Sequence, residues 1–543
     1  MVVETIQILV LLLAVAAAVA LVGARLKLPP AILLVLVGVA LALVPGLPTI
    51  ELAPELVLLL VLPPLIYSSA VAMSWREFRY NLRPISLLAV GGVAFTALAT
   101  AAATHWLLGF PWAVGFVLGA IISPPDAVAP LSIARRMQLP RRILVVLEGE
   151  GLANDATALI LYRFAIIAVS AGGFSFGRAA AMFTAIIAGE ILWGIGVGWL
   201  MLRLRRWIDN PRIELVVAVL TPFLAYWPPQ HLGGSGVLAT VTAGLYISWN
   251  GLRLIGAATR LQGVFFWDFL IYLIEGLVFL ITGLQARSLI ARMGHYSAVE
   301  LIIPAVTVSA VVILARFIWI YPATYLPRWL LPGLRRRDPS PPWQYPFVLA
   351  FTGVRGIVSL AAALAIPIVT ADGEPFPERD LILFLTFCVI LVTLVGQGLL
   401  LPAVIRRLRL AHAGRRERAA DRAEERKARR RAIEAVIERL DRLAAERHLP
   451  EDVVRPLHIL HHDRLRHIQH ESDGEDRHGH RKHTELHGEI ELLLIEAERD
   501  EINALYRDGK IKDEARRRVE RELDLREAQL ANDEDEPDLA ETR

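Results

Sequence analysis

The stretch FPWAVGFVLGAIISPPDAVAPLSIARRM, residues 110–137, decides the architecture. It is apolar enough to enter a bilayer, whose hydrocarbon core is crossed by about 20 apolar helical residues. Yet Ser123-Pro124-Pro125-Asp126 stands in its middle. Proline removes a backbone donor and clashes with the preceding turn, so the helix must break there. A broken helix inside a membrane leaves main-chain groups unpaired, which is tolerable only where they are buried in protein or line a cavity.

A second break of this kind lies at Thr352-Gly353-Val354-Arg355-Gly356, inside the apolar run 345–370. Cutting the chain at its charged and Pro/Gly-rich junctions gives thirteen apolar stretches, from 4–24 to 380–405, and the broken ones are the fifth and the twelfth. Their separation by seven places predicts two six-helix repeats flanking a linker helix at 179–203. Seven is odd, so equivalent helices run in opposite directions. Interrupted helices at matching places of inverted repeats point to the central ion site of a transporter.

Composition divides the chain at the same end. Of 543 residues, 1–404 hold 26 Lys+Arg and 19 Asp+Glu, whereas 405–543 hold 31 and 35. An all-α membrane domain over 1–405 and a soluble helical tail over 406–543 follow. The net charge of +3 does not describe a nucleic-acid-binding surface. One cysteine, Cys388, gives neither a disulfide framework nor a thiolate metal site. Basic residues recur in alternate connections: Arg25/Lys27, Arg76/Arg79/Arg83, Arg135/Arg136/Arg141/Arg142, Arg203/Arg205/Arg206/Arg212, Arg253/Arg260 and Arg328/Arg335/Arg336/Arg337. That bias puts the N-terminus outside and the tail in the cytoplasm.

Ionisable residues within spans are costly and tend to be functional. Here they are Asp126, Glu148, Glu150, Asp155, Arg163, Glu190, Glu275, Arg316 and Arg355. Residues four apart share a helix face, so Gly151 lies beneath Asp155 and opens its carboxylate to water, an ion or another backbone. Carboxylate, amide and main-chain oxygens are what a hard cation takes. Glu150 and Arg355 make an opposite-sign pair between the two halves, read first as a structural brace. Glu275 and Arg316 are a candidate interior pair. Glu190 is open between an interior pair and a dimer-face contact.

SPPDAVAP at 123–130, LEGEGLANDATALILYRF at 147–164, TGVRGIVSLAAALAIP at 352–367, FLITGLQ at 279–285, and LPPLIY before SWREFRYNLRPI together resemble the bacterial sodium/proton antiporters of the cation:proton antiporter 1 family. The resemblance spans essentially all of 1–405. It implies a thirteen-helix inverted-repeat homodimer in the bacterial inner membrane, exchanging a monovalent cation, Na⁺ before Li⁺, for H⁺ by elevator-like alternating access. By motif position Asp155 takes the cation or the proton, with Asp126, Asn154 and the Pro125 main chain beside it, and Glu150 and Arg355 match a bracing pair. The Asn154-Asp155 dyad is the mark of electroneutral exchange. The sequence departs from the family pattern at Gly151, where Ser is frequent, Pro125 (Thr), Ser68 (Glu) and Glu275 (Asn), and these departures bear on cation preference. K⁺/H⁺ exchange is the alternative; a gated channel or sensor on the same fold is a second. No resident cofactor and no enzymatic constellation is expected.

The tail carries eleven of the fourteen histidines. His461, His462, His467, His470, His478, His480 and His483 form a candidate pH sensor, because histidine titrates nearest neutrality. The plainer reading is a solvated polar linker. No tail partner is legible.

Overall fold

The computed structural model describes residues 2–26, 28–45, 53–171, 176–208, 210–251, 254–294, 296–370, 373–470, 477–508 and 510–534. It is helical throughout; among these residues the β-pairing is one isolated bridge, Val369 to Pro375. The chain divides into two compact units, Met1–Glu417 and Arg418–Arg543.

In the first unit, α1 (Val2–Leu26) and α2 (Pro30–Ala42) lead into α3 (Pro54–Ala72) and α4 (Leu82–Leu108). Next come α5 (Trp112–Ile122), α6 (Val128–Arg136), α7 (Arg141–Ala171) and α8 (Phe176–Arg205). Then follow α9 (Pro211–His231), α10 (Val237–Asn250), α11 (Ala257–Leu284) and α12 (Ala298–Leu330). The unit's remaining long elements are α13 (Gln344–Phe351), α14 (Ile357–Leu364) and α15 (Arg379–Arg407). Seven helices among the described residues are long and apolar enough to cross a membrane, and shorter apolar ones accompany them.

Helix ends follow local chemistry. Proline opens α2, where its missing N–H has no intrahelical partner to lose. Gly109, at φ 75°, closes α4 in the left-handed conformation that glycine adopts without cost. The helices then approach through small residues, as expected where lipid removes the hydrophobic drive between them. Gly38 of α2 meets Gly283 of α11 so closely that a Cβ on either would overlap the other's backbone. Gly115 and Gly119 of α5 meet Ala101 and Ala97 of α4 in the same way. Large apolar side chains, among them Leu192, Phe265, Ile302 and Val306, remain exposed, as a lipid-facing surface requires.

One end of the bundle is pinned by a single acid. Asp338 contacts Arg83 at 2.6 Å, Arg142 at 2.8 Å and Arg328 at 2.8 Å. Those arginines lie at the starts of α4 and α7 and the end of α12. In the tail, α16 (Leu410–Arg447), α17 (Glu451–His470), α18 (Arg477–Arg507) and α19 (Asp513–Glu534) carry dense mixed charge. α18 and α19 are tied by Arg499 to Asp524 and Glu527, and by Arg526 to Glu498.

Burial pulls the Asp338 carboxyl upward, but the hydrogen bond and charge of Arg142, with Arg328 and Arg83, outweigh it and hold the group below the ordinary carboxylate value. A depressed folded-state value contributes stability above that range and loses it as pH falls through it. Asp338→Asn is therefore expected to lower the melting temperature at pH 7, with the gap to the parent closing as pH is taken below 3.8. Tryptophan-fluorescence melts of the purified protein across pH check this; a gap that does not change with pH contradicts it.

Candidate functional site

Two broken spans supply the centre. Between Ile122 and Val128, and again between Phe351 and Ile357, the chain leaves the helix, as Pro124, Pro125 and the two glycines dictate. The breaks meet each other. The Asp126 amide donates to the Val354 carbonyl at 2.7 Å. Arg355, only 1% exposed, donates from its side chain to carbonyls of both breaks: Ile122 at 2.9 Å, Ser123 at 3.5 Å, and Gly353. Its own amide is held by Thr393 Oγ1 of α15 at 3.0 Å. Five guanidinium donors in a rigid fork suit a place where several carbonyls have lost their helical partners.

Asp126 closes the first break. Its Oδ1 accepts from the Val128 amide at 2.9 Å, satisfying the start of α6. Its other oxygen lies against Gly356, where a Cβ would overlap it. Only glycine lets the second break seat on this carboxylate.

α7 brings the remaining groups. Asn154, fully buried, donates from Nδ2 to the Pro125 carbonyl at 2.7 Å, while its Oδ1 is buried without a hydrogen-bond partner. The neighbouring Asp155 has neither hydrogen bond nor ion pair among the described residues, and lies within electrostatic range of Asp126. Both acids are half-buried and keep accessible surface. A span that sequesters two carboxylates without a counter-ion, beside an orphaned amide oxygen, is arranged for a positively charged guest. No group of three His, Cys, Asp or Glu side chains among the described residues could hold a metal ion. A cation here therefore draws on the two acids, the Asn154 oxygen and main-chain oxygens such as that of Pro125.

Three expectations are corrected. Glu150 pairs with Arg316, not with Arg355: NH1 to Oε1 is 2.6 Å and NH2 to Oε2 is 2.9 Å. Arg316 also donates to the Leu349 carbonyl at 2.9 and 3.1 Å. Arg355 is consumed by the freed carbonyls, whereas Arg316 enters from α12 past Gly353, whose absent side chain clears its path. Glu275 is consequently not the partner of Arg316. Gly151 does not open a path to Asp155 either; the space beneath its Cα is taken by the Ala127 methyl, 2.7 Å from where a Cβ would stand. The glycine seats the first break against α7.

Glu190, left open by sequence, accepts from the amides of Ser235 at 2.6 Å, Gly236 at 3.1 Å and Leu238 at 3.1 Å. It caps the N-terminus of α10, where the helix dipole favours an anion. A Gly-Gly-Ser-Gly sequence at 233–236 before an apolar helix was the available signal. In the tail, His462 stacks on His458, which contacts Asp441 at 2.9 Å, and His461 lies 3.5 Å from Arg464. The side chains of His467, His470, His478, His480 and His483 lie outside the described residues.

Known proteins resemble this chain over most of its membrane unit. Residues 9–407 match the family model described as sodium/hydrogen exchanger, transmembrane. An uncharacterised Na⁺/H⁺ exchanger of Mycobacterium tuberculosis is 35% identical over 538 residues, 96% of each chain. A sodium, potassium, lithium and rubidium/H⁺ antiporter of Bacillus subtilis is 35% identical over 372 residues, 65% of this chain and 54% of its own. The Na⁺/H⁺ antiporter NhaS2 of Synechocystis is 31% identical over 405 residues, 74% of this chain and 70% of its own. Among solved structures, the sodium proton antiporter MjNhaP1 of Methanocaldococcus jannaschii aligns with a TM-score of 0.61 at 20% identity, covering 75% of this chain and 99% of that one. That likeness is one of fold.

Removing one partner of a buried ion pair leaves an uncompensated charge and costs about 3–5 kcal/mol. Arg316→Met is expected to destabilise by that order, and Glu150→Gln added to it to recover most of the loss. Arg355, within electrostatic range of Glu150 but not bonded to it, is expected to gain a smaller rescue when Glu150→Gln is added to Arg355→Met. Melting of the four variants in detergent decides which arginine is coupled to Glu150.

Proposed function

Because the chain belongs to the sodium/hydrogen exchanger family, we propose that this monovalent cation/proton antiporter exchanges Na⁺, ahead of Li⁺ and K⁺, one-for-one for H⁺, with Asp155 as the shared acceptor. The observation that carries the reading is the pair of half-buried, counter-ion-free acids where the two broken spans cross.

Asp155 is the acid that both ligands share, so one monovalent cation or one proton neutralises it, while Glu150 and Arg316 cancel. Carrying unpaired charge through low dielectric is expensive. The loaded site therefore crosses readily and the empty one does not, and competition of two ligands for one acid then suffices for obligatory exchange. Asn154 contributes an oxygen without adding charge, which fits an electroneutral cycle.

The accompanying architecture is thirteen crossings in two inverted six-helix repeats joined by α8, supported by the matched breaks at α5/α6 and α13/α14. Alternating access is elevator-like, the two broken spans moving together with their acids. The protein works as a homodimer in the bacterial inner membrane, N-terminus outside and the 406–543 tail in the cytoplasm.

In proteoliposomes carrying a pH gradient, Asp155→Asn is expected to abolish cation-dependent proton movement read by an entrapped dye, with an unchanged gel-filtration profile; parental exchange in that variant sinks the proposal. In a Na⁺, Li⁺ and K⁺ panel the parent is expected to saturate with each ion it accepts and to ignore an imposed voltage. Asn154→Asp adds a charge to the mobile site, so any exchange it retains is expected to become voltage-dependent.

A further inference from the structure

The reassignment of Arg316 leaves Glu275 without its expected partner. Glu275 stands well inside α11, half-buried. Among the described residues it has no hydrogen bond and no ion pair. Both arginines within the bundle that could neutralise it are engaged, Arg316 by Glu150 and Arg355 by main-chain carbonyls. A lone carboxylate at membrane depth is expensive and tends to be functional.

Its neighbours locate it. Ile274, Leu277 and Val278 on α11 share one hydrophobic cluster with Val128 and Ala129, just past the first break, and with Val354 and Ile357, which flank the second. α11 also packs directly on α14, whose preceding residue, Gly356, abuts the Asp126 carboxylate. Glu275 thus lies beside the crossing, on a helix that is not part of it, and within electrostatic range of Asp126. The orphaned Asn154 Oδ1 at the Pro125 carbonyl marks the same crossing as short of a positive ligand.

Resting on the antiport reading, we propose that Glu275 is the acid that a cation meets before it reaches Asp126 and Asp155, and that it sets the apparent affinity for the transported cation without taking part in the exchange itself. An unneutralised carboxylate beside the crossing raises the local cation concentration. It also repels the empty Asp126 site and ceases to do so once a cation is seated. Both effects act on occupancy, so they belong in KM rather than in kcat.

The test titrates Na⁺ against a fixed pH gradient in proteoliposomes holding the full-length parent, Glu275→Gln or Glu275→Asp, with ²²Na⁺ uptake and proton release read in parallel. Loss of one like-signed charge at this range is worth roughly tenfold in binding. Glu275→Gln is expected to raise the KM for Na⁺ by roughly tenfold with kcat held within about twofold. Glu275→Asp is expected to return most of the way to the parent. An unchanged KM in Glu275→Gln overturns the proposal, as does loss of kcat at parental KM. Failure of both variants to purify as monodisperse protein also overturns it, since that makes the acid a packing element. If the parent itself exchanges no monovalent cation, the antiport reading fails instead, which separates the two outcomes.

Discussion

The structure depends on one constraint: main-chain amides and carbonyls inside a membrane must find partners within the protein. Two helices break at membrane depth, and the groups they free are paired across the breaks, by the Asp126 amide on Val354 and by the Arg355 side chain on Ile122, Ser123 and Gly353. Arginine is the side chain for this task because its donors form a fixed fork and its charge persists. Closure of the crossing therefore rests largely on a single side chain.

Around that crossing, the packing is tightest where side chains are smallest. Gly38 with Gly283 brings α2 onto α11, and Gly115 and Gly119 bring α5 onto α4. At one end of the bundle Asp338 binds three helix ends at once. The breaks themselves are cushioned: Gly151 accepts Ala127, Gly356 accepts Asp126, and Gly353 lets Arg316 through. Each of these last three glycines marks a contact in which a side chain from elsewhere occupies the vacated volume, so their role is steric reception rather than flexibility.

The breaks were legible in the sequence because Pro124, Pro125, Gly353 and Gly356 act locally, through missing donors and missing Cβ atoms. That Asp126, Asn154 and Asp155 belong to one site was implied by the family resemblance, since nothing local says that the break lies against α7. Which arginine meets Glu150 was not legible. Arg316 and Arg355 are both lone cations at comparable depth, and the choice turns on how many carbonyls the breaks leave for Arg355, a property of the folded crossing. Gly151 misled for a related reason: an absent side chain reads as open space in one helix, yet the neighbour that fills it, Ala127, arrives from another element. Glu190 carried a readable clue in Gly233-Gly234-Ser235-Gly236, a loop ready to present its amides to an anion, but nothing local said which anion.

The identity of residue 154 shows how closely charge and hydrogen bonding are matched. Its Nδ2 donates to the Pro125 carbonyl at 2.7 Å. An ionised carboxylate in that place is acceptor-only, so it would face the carbonyl with nothing to donate and would need a proton or a metal ion between them. The amide supplies that hydrogen itself and still keeps a buried oxygen without a hydrogen-bond partner. It follows that residue 154 adds nothing to the charge that a ligand must neutralise. Closure of the backbone and the count of carried charges are thereby separated at this one position, although both are performed within a few ångströms of each other.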